Sequence, residues 1–234
     1  MVTFGGPRRH WHSSIPHASH RRDMDAPPLH VVGIVGSLRP NGHTAKVVRL
    51  ALEGAAEMGA LTTMIELRLL DLPFCDGRDD EDSYGGDAQR LRRELRSAQG
   101  IILGTPEYHG GYSGALKNAL DLTGFDEFEG KMVGLVGVSG GVLGAANALD
   151  DLRGVGRALH AWVVPEQAAI SRAERAFDEH GRLLDQRLAE RVRTVGRQVV
   201  RFAYLHSSEQ WREFLRLWEV AQPNPGAERS DGRS

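Results

Sequence analysis

From residue 29 onward the chain alternates short apolar, β-branched runs with amphipathic stretches of helical period. No other feature limits its fold as strongly. Residues 29–35 (LHVVGIV) form a strand pattern closed by Gly36 and Ser37. A helical stripe follows over residues 44–58, with Val47, Val48, Ala51, Leu52, Ala55 and Met58 on one face. Residues 61–67, 100–105, 131–138 and 161–164 supply four more strands. Helical patterns lie between them at 87–98, 113–122 and 143–159, and another runs over 188–204. Strands separated by helices in this way predict one α/β domain, a parallel sheet covered on both faces. Residues 177–184 (FDEHGRLL) place Gly181 where a tight turn needs a positive φ, so a small hairpin or turn is expected there.

The two ends differ from this core. The first 28 residues carry four arginines and four histidines without apolar periodicity, and read as a leader outside the fold. Residues 206–221 read as a helical extension, in which Trp211, Phe214, Leu215 and Trp218 make an apolar face. Residues 222–234 are rich in Pro, Gly, Ser and charge and read as a disordered tail. The core domain is therefore assigned to residues 29–205.

Composition removes several functional classes. Across 234 residues, 29 basic side chains face 31 acidic ones, which leaves no electrostatic case for nucleic acid or a membrane surface. No stretch reaches the roughly 18 apolar residues that a spanning helix needs. The single cysteine, Cys75, excludes an internal disulfide framework and points to a reducing cytoplasm. The ten histidines are scattered without metal-ligand spacing, so no metal site is expected. A G-x-S-x-G elbow is absent, which disfavours a serine hydrolase.

Open parallel sheets bind ligands outside the carboxyl ends of their strands, where the strand order reverses. In a five-stranded sheet of order 2-1-3-4-5 that point lies between the first and third strands. The first loop there is Gly36-Ser37-Leu38-Arg39-Pro40-Asn41-Gly42-His43-Thr44. It matches neither G-x-G-x-x-G nor a Walker A loop, yet it holds the parts of a phosphate cradle. Ser37 and Thr44 bring hydroxyls, Arg39 a charged fork, and the helix start free N–H groups. A hydroxyl-capped helix with a surface arginine would have the same sequence. The second loop, Thr105-Pro106-Glu107-Tyr108-His109-Gly110-Gly111-Tyr112, combines flexible backbone with flat aromatic surface suited to a planar polar ring. There Glu107 is expected to act more through its backbone than its carboxylate, and Tyr112 could equally be a packing residue. A third turn, Ser139-Gly140-Gly141-Val142-Leu143-Gly144, follows the fourth strand on the same sheet edge.

Taken together, Gly36-Ser37-Leu38-Arg39, Pro106-Glu107-Tyr108 with Gly114 and Leu116-Lys117-Asn118-Ala119-Leu120-Asp121, and Ser139-Gly140-Gly141 resemble the NADPH-dependent FMN reductase family. These are flavodoxin-like proteins that include quinone, chromate and azo-dye reductases. The resemblance implies a flavodoxin-like three-layer sandwich, bound FMN, NAD(P)H as co-substrate, and a homodimer or homotetramer whose interface helps to build the site. By position it implies that Ser37, Arg39, His43 and Thr44 hold the FMN phosphate. Pro106, Glu107, Tyr108 and His109 would contact the ribityl chain and isoalloxazine, largely through backbone atoms. Ser139, Gly140 and Gly141 would lie near the ring or ribityl chain. Two positions depart from the family pattern: many relatives carry a hydroxyl residue where Gly42 stands and an asparagine where His109 stands. The departure at Gly42 shifts the expected phosphate contacts toward Arg39, Thr44 and backbone amides.

The implied activity is hydride transfer from NAD(P)H via FMN to a small acceptor: a quinone, free flavin, azo compound or metal oxyanion. No catalytic side chain is required, because the cofactor carries the chemistry. One alternative is a flavodoxin-type electron carrier, against which the formal charge of −2 argues mildly. The other is a flavin dehydrogenase of a biosynthetic intermediate.

Overall fold

A computed structural model of the chain describes residues 28–78 and 81–207. Residues 1–27 of the expected leader, residues 208–221 of the expected extension and the whole expected tail lie outside the described residues. In chain order the elements are β1 (His30–Val35), α1 (His43–Glu57), β2 (Leu61–Glu66), α2 (Gly86–Ser97), β3 (Gly100–Tyr108), β4 (Gly111–Tyr112), α3 (Gly114–Asp121) and α4 (Phe125–Phe128). They continue with β5 (Met132–Val138), α5 (Ala146–Ala158), β6 (Trp162–Ile170), α6 (Ala173–Ala176) and α7 (Gln186–Ser207). No described helix is long and apolar enough to cross a membrane.

The long strands pair in the order β2-β1-β3-β5-β6, and every one of these pairings is parallel. This is the expected 2-1-3-4-5 arrangement, with β4 an additional short strand that pairs antiparallel to β3 alone. Alternate residues of each central strand feed two separate cores. Val31 and Val35 of β1 join a cluster with α1 and α7, including Val48, Ala51, Val195 and Val199. Val32 and Ile34 join the opposite cluster with Leu91 and Leu95 of α2, Leu116 of α3, and Leu149 and Leu152 of α5. The period of two thus builds a three-layer sandwich, because side chains of successive strand residues point to opposite faces.

Three differences from the sequence expectation have clear causes. β3 runs to Tyr108 and turns back into β4, so the second loop is a hairpin rather than an open loop. β6 extends to Ile170, because Pro165, Glu166 and Gln167 interrupt its apolar run without ending the strand. A proline is tolerated at such an edge strand, and the pairing with β5 shifts register between Val133 and Leu135. The helix expected from residue 143 begins only at Ala146, after Gly144 takes a φ of +71°.

α1 and α7 pack unusually close. A Cβ at Gly54 would lie 2.2 Å from the Arg193 carbonyl oxygen, and one at Gly196 would lie 1.8 Å from that of Ala51. Neither neighbour is a side chain that can swing away. Gly196→Ala is therefore expected to destabilise the protein by about 3 kcal/mol, at the upper end of overpacking effects. Urea denaturation measures it, and a loss within experimental error would show that the helices separate freely.

Candidate active site at the carboxyl edge of the sheet

The first and second loops are pinned to each other where β1 and β3 end. The Gly36 N–H donates to the Gly104 carbonyl at 2.7 Å, and the Ser113 hydroxyl donates to the Gly36 carbonyl at 2.5 Å. Ser113 also caps α3 by accepting from the Leu116 N–H at 3.1 Å. Its own N–H donates to the Thr105 hydroxyl at 3.0 Å, and that hydroxyl donates to the Pro106 carbonyl. Ser113 and Thr105 are both buried, so each bond replaces a lost contact with water. Between the pinned loops opens a cavity of about 360 Å³, lined by residues that include Leu38, Arg39, Pro40, Tyr108 and Gly114. Ser113 was not among the site residues suggested by sequence. Its helix-capping position was the signal available.

The first loop arrives at α1 with its polar groups facing inward. Ser37 and Thr44 are buried, whereas Arg39 is exposed beside the cavity. Ser37 Oγ accepts from the Arg39 N–H at 3.3 Å, and Asn41 takes a φ of +55° to turn the chain into the helix. Gly42 is the N-cap and offers no side-chain acceptor to the helix start. Among the described residues, nothing accepts the N–H groups of His43 and Thr44. Two free amides, two hydroxyls and a guanidinium at the positive end of a 15-residue helix form a donor set for an anion.

In the second loop, Tyr108 is 45% exposed on the cavity wall. His109 and Gly110 make the turn of the hairpin with φ values of +53° and +81°. Two successive positive values define the tight turn that matches the twist of paired strands. The Glu107 carboxylate has a structural partner, since it accepts from the Ala148 N–H at 3.1 Å in the first turn of α5. That contact ties the hairpin to a helix start, where a negative charge is favoured. Tyr112 is half-buried and packs with the α2, α3 and α5 core, and burial raises its hydroxyl pKa.

The third turn lies on the same edge but does not line the cavity. Its Gly141 N–H donates to the Ser139 hydroxyl at 3.1 Å, and Gly140 and Gly141 are exposed. Residues 170–173 wrap around it. Ser139 N–H donates to the Ile170 carbonyl, while Arg172 and Ala173 donate to the carbonyls of Gly141 and Ser139. Thus the structure gathers Arg39 and Tyr108 at one cavity, with Ser37 and Thr44 in the loop behind it. Arg78, in the loop between β2 and α2, pairs with Asp76 and lies 4.6 Å from the Tyr84 ring centroid.

His43 is placed differently from a simple phosphate ligand. Its ring stacks on Phe177 at 4.6 Å between centroids and 10° between planes, and its Nδ1 is buried without a partner. Burial and the charges of Lys46 and Arg39 hold its pKa below 6.5, with Glu174 opposing them. A histidine whose folded pKa is depressed loses stability as pH falls, because the unfolded chain binds the proton first. Stability should therefore drop as pH falls below about 6.5, and His43→Phe should reduce that drop. Denaturation curves across this range test it, and equal acid losses in both proteins would refute the assignment.

The donor set fits FMN: the first loop matches a phosphate, and the cavity falls within the roughly 300–1,000 Å³ of cofactor pockets. Residues 29–175 match the family model for NADPH-dependent FMN reductase. An FMN-dependent NADPH-azoreductase of Staphylococcus aureus (strain USA300) is 35% identical over 174 residues, covering 72% of this chain and 92% of the relative. The NAD(P)H:acceptor oxidoreductase FerB of Paracoccus denitrificans superposes with a TM-score of 0.63 at 25% identity, covering 76% of this chain and 98% of FerB. A WrbA-like flavodoxin from Agrobacterium tumefaciens shares the fold, with a TM-score of 0.52, 21% identity and coverage of 78% of this chain and 100% of that one. The three strand-end loops, the sheet order and this agreement over most of the chain lead to one conclusion: the protein belongs to the NADPH-dependent FMN reductase family and is an oxidoreductase that uses FMN with NAD(P)H.

Proposed function

We propose that the first loop holds the FMN phosphate and that the cavity between the first two loops receives the flavin, leaving one face open for NAD(P)H and then for a planar aromatic acceptor. The observation that carries this reading is the unsatisfied donor set at the start of α1, next to a cavity walled by Tyr108 and Leu38. The chemistry supplied by bound FMN is acceptance of a hydride from NAD(P)H and return of two electrons to a second substrate. Ser37, Thr44 and Arg39 bind the phosphate through their side chains, and His43 contributes its main-chain N–H. Pro106, Glu107, Tyr108 and His109 present the hairpin backbone to the ring and ribityl chain. Ser139, Gly140 and Gly141 border the open side. No side chain of this set needs to change its protonation state to bind or orient the cofactor.

An azo compound or a quinone is the acceptor class that this rim suits. Leu38, Val142 and Leu143 are 58%, 68% and 84% exposed on the loops around the site. Apolar side chains displayed so openly favour flat aromatic molecules, and they favour burial against a second copy of the chain. A homodimer or homotetramer built on this rim would finish the acceptor pocket. The lone Cys75 is free, consistent with a reducing cytoplasm.

Three experiments test these statements. Anaerobic NADPH added to the FMN-loaded protein should bleach the flavin absorbance, and Arg39→Ala and Thr44→Val should each weaken FMN binding about tenfold. Unchanged affinity in both variants would remove the phosphate from the first loop. Sedimentation should give a dimer or tetramer that Leu143→Lys shifts toward monomer. A monomeric wild type would refute the assembly.

A further inference from the structure

Residues 170–184 leave the end of β6 and touch the third and first loops in turn. At the third loop the contacts are the main-chain bonds to Ser139 and Gly141. Arg172 makes its bond, 3.0 Å to the Gly141 carbonyl, at a φ of +46°. A non-glycine residue keeps such a conformation only where its surroundings impose it.

Beyond α6 the chain forms a small hairpin. Phe177 bridges Leu183, and the Asp178 carboxylate accepts from the N–H groups of His180 and Arg182 at 3.0 and 2.8 Å. The Phe177 ring then covers the first turn of α1. It stacks on His43, and Lys46 Nζ lies 5.2 Å from its centroid. His43 and Lys46 are three residues apart, so they share one helix face. The Lys46 stem also packs against Gly181, where a Cβ would approach it to 3.0 Å. His43 Nδ1 has no hydrogen-bond partner, so the contribution of this imidazole lies in its face rather than in that nitrogen.

We propose that Phe177 is a positioning residue: its stack on His43 fixes the first turn of α1, and the strap it belongs to couples the phosphate loop to the third glycine turn. This inference rests on the placement of the FMN phosphate in the first loop, but its structural half does not need the cofactor. A fixed first turn holds the free amides of His43 and Thr44 aimed at one point, so an incoming phosphate does not have to order them.

The test uses the full chain and three readouts: amide exchange at Ala45, whose N–H donates to the Gly42 carbonyl, in the cofactor-free protein, FMN affinity, and affinity for riboflavin, which lacks the phosphate. Phe177→Leu should speed exchange in that turn about tenfold and weaken FMN about tenfold, while riboflavin changes less than about twofold. Phe177→Tyr, which keeps a ring stacked on His43, should leave all three within about twofold of wild type. Should Phe177→Leu not fold, His43→Leu removes the same stack from the other side and carries the same expectations. The proposal is overturned if exchange is unchanged when the stack is lost, if FMN and riboflavin weaken equally, or if Phe177→Tyr behaves like the stack-breaking variants. If Thr44→Val leaves FMN binding untouched, the phosphate placement fails by itself, and the exchange rates alone decide the role of Phe177.

Discussion

The close seating of α1 against the sheet and beside α7 on the same face governs most of this molecule. A Cβ at Gly33 or Gly104 would meet Val48 at 2.7 and 2.1 Å, and Gly54 and Gly196 admit α7 on the other side. With α1 held against both partners, its start is carried to the carboxyl end of β1. There, at the reversal of strand order, the positive end of the helix and its free amides follow the loop whose Leu38, Arg39 and Pro40 line the cavity. A Cβ at Gly54 or Gly196 would collide with main-chain atoms of the neighbouring helix and push the two helices apart.

Around that anchored helix the loops are fixed mainly by main-chain and hydroxyl bonds. Ser113 and Thr105 bind the first loop to the second, and Glu107 binds the hairpin to α5. On the proposed reading, such a site would hold a cofactor and leave the chemistry to it. Main-chain donors stay where the fold puts them, whereas long charged side chains must be ordered on binding. Charged groups are used where the fold needs closure instead: buried Glu127 pairs with Arg92 and Arg96 and accepts from the Gly124 N–H at α4. Lys131 donates to the last carbonyls of α2, with burial lowering its pKa to about 8.

How much of the site could be read from sequence depends on the range of the interaction. Ser37, Arg39 and Thr44 lie within eight positions of one another in a single loop, and local chemistry already marks them as an anion set. Glu107 was expected to matter through its backbone, and its carboxylate has a definite partner 41 residues away. Phe177 gave only the signal of a turn near Gly181, because its contact with His43 joins segments that are distant in the chain. The β3–β4 hairpin was also hidden, since a two-residue strand carries too little pattern to read.

The strand order was implied by the family resemblance; the sequence's own pattern determined the parallel α/β class and the three strand-end loops. Those follow from periodicity and from turn residues, which act over a few neighbouring positions. Only the tertiary structure decided that His43 faces Phe177 instead of presenting Nδ1 to a ligand, that Ser113 pins two loops, and that residues 170–184 strap the site together. Each depends on side chains from separate elements meeting at angles and distances that only the packed helices and sheet impose.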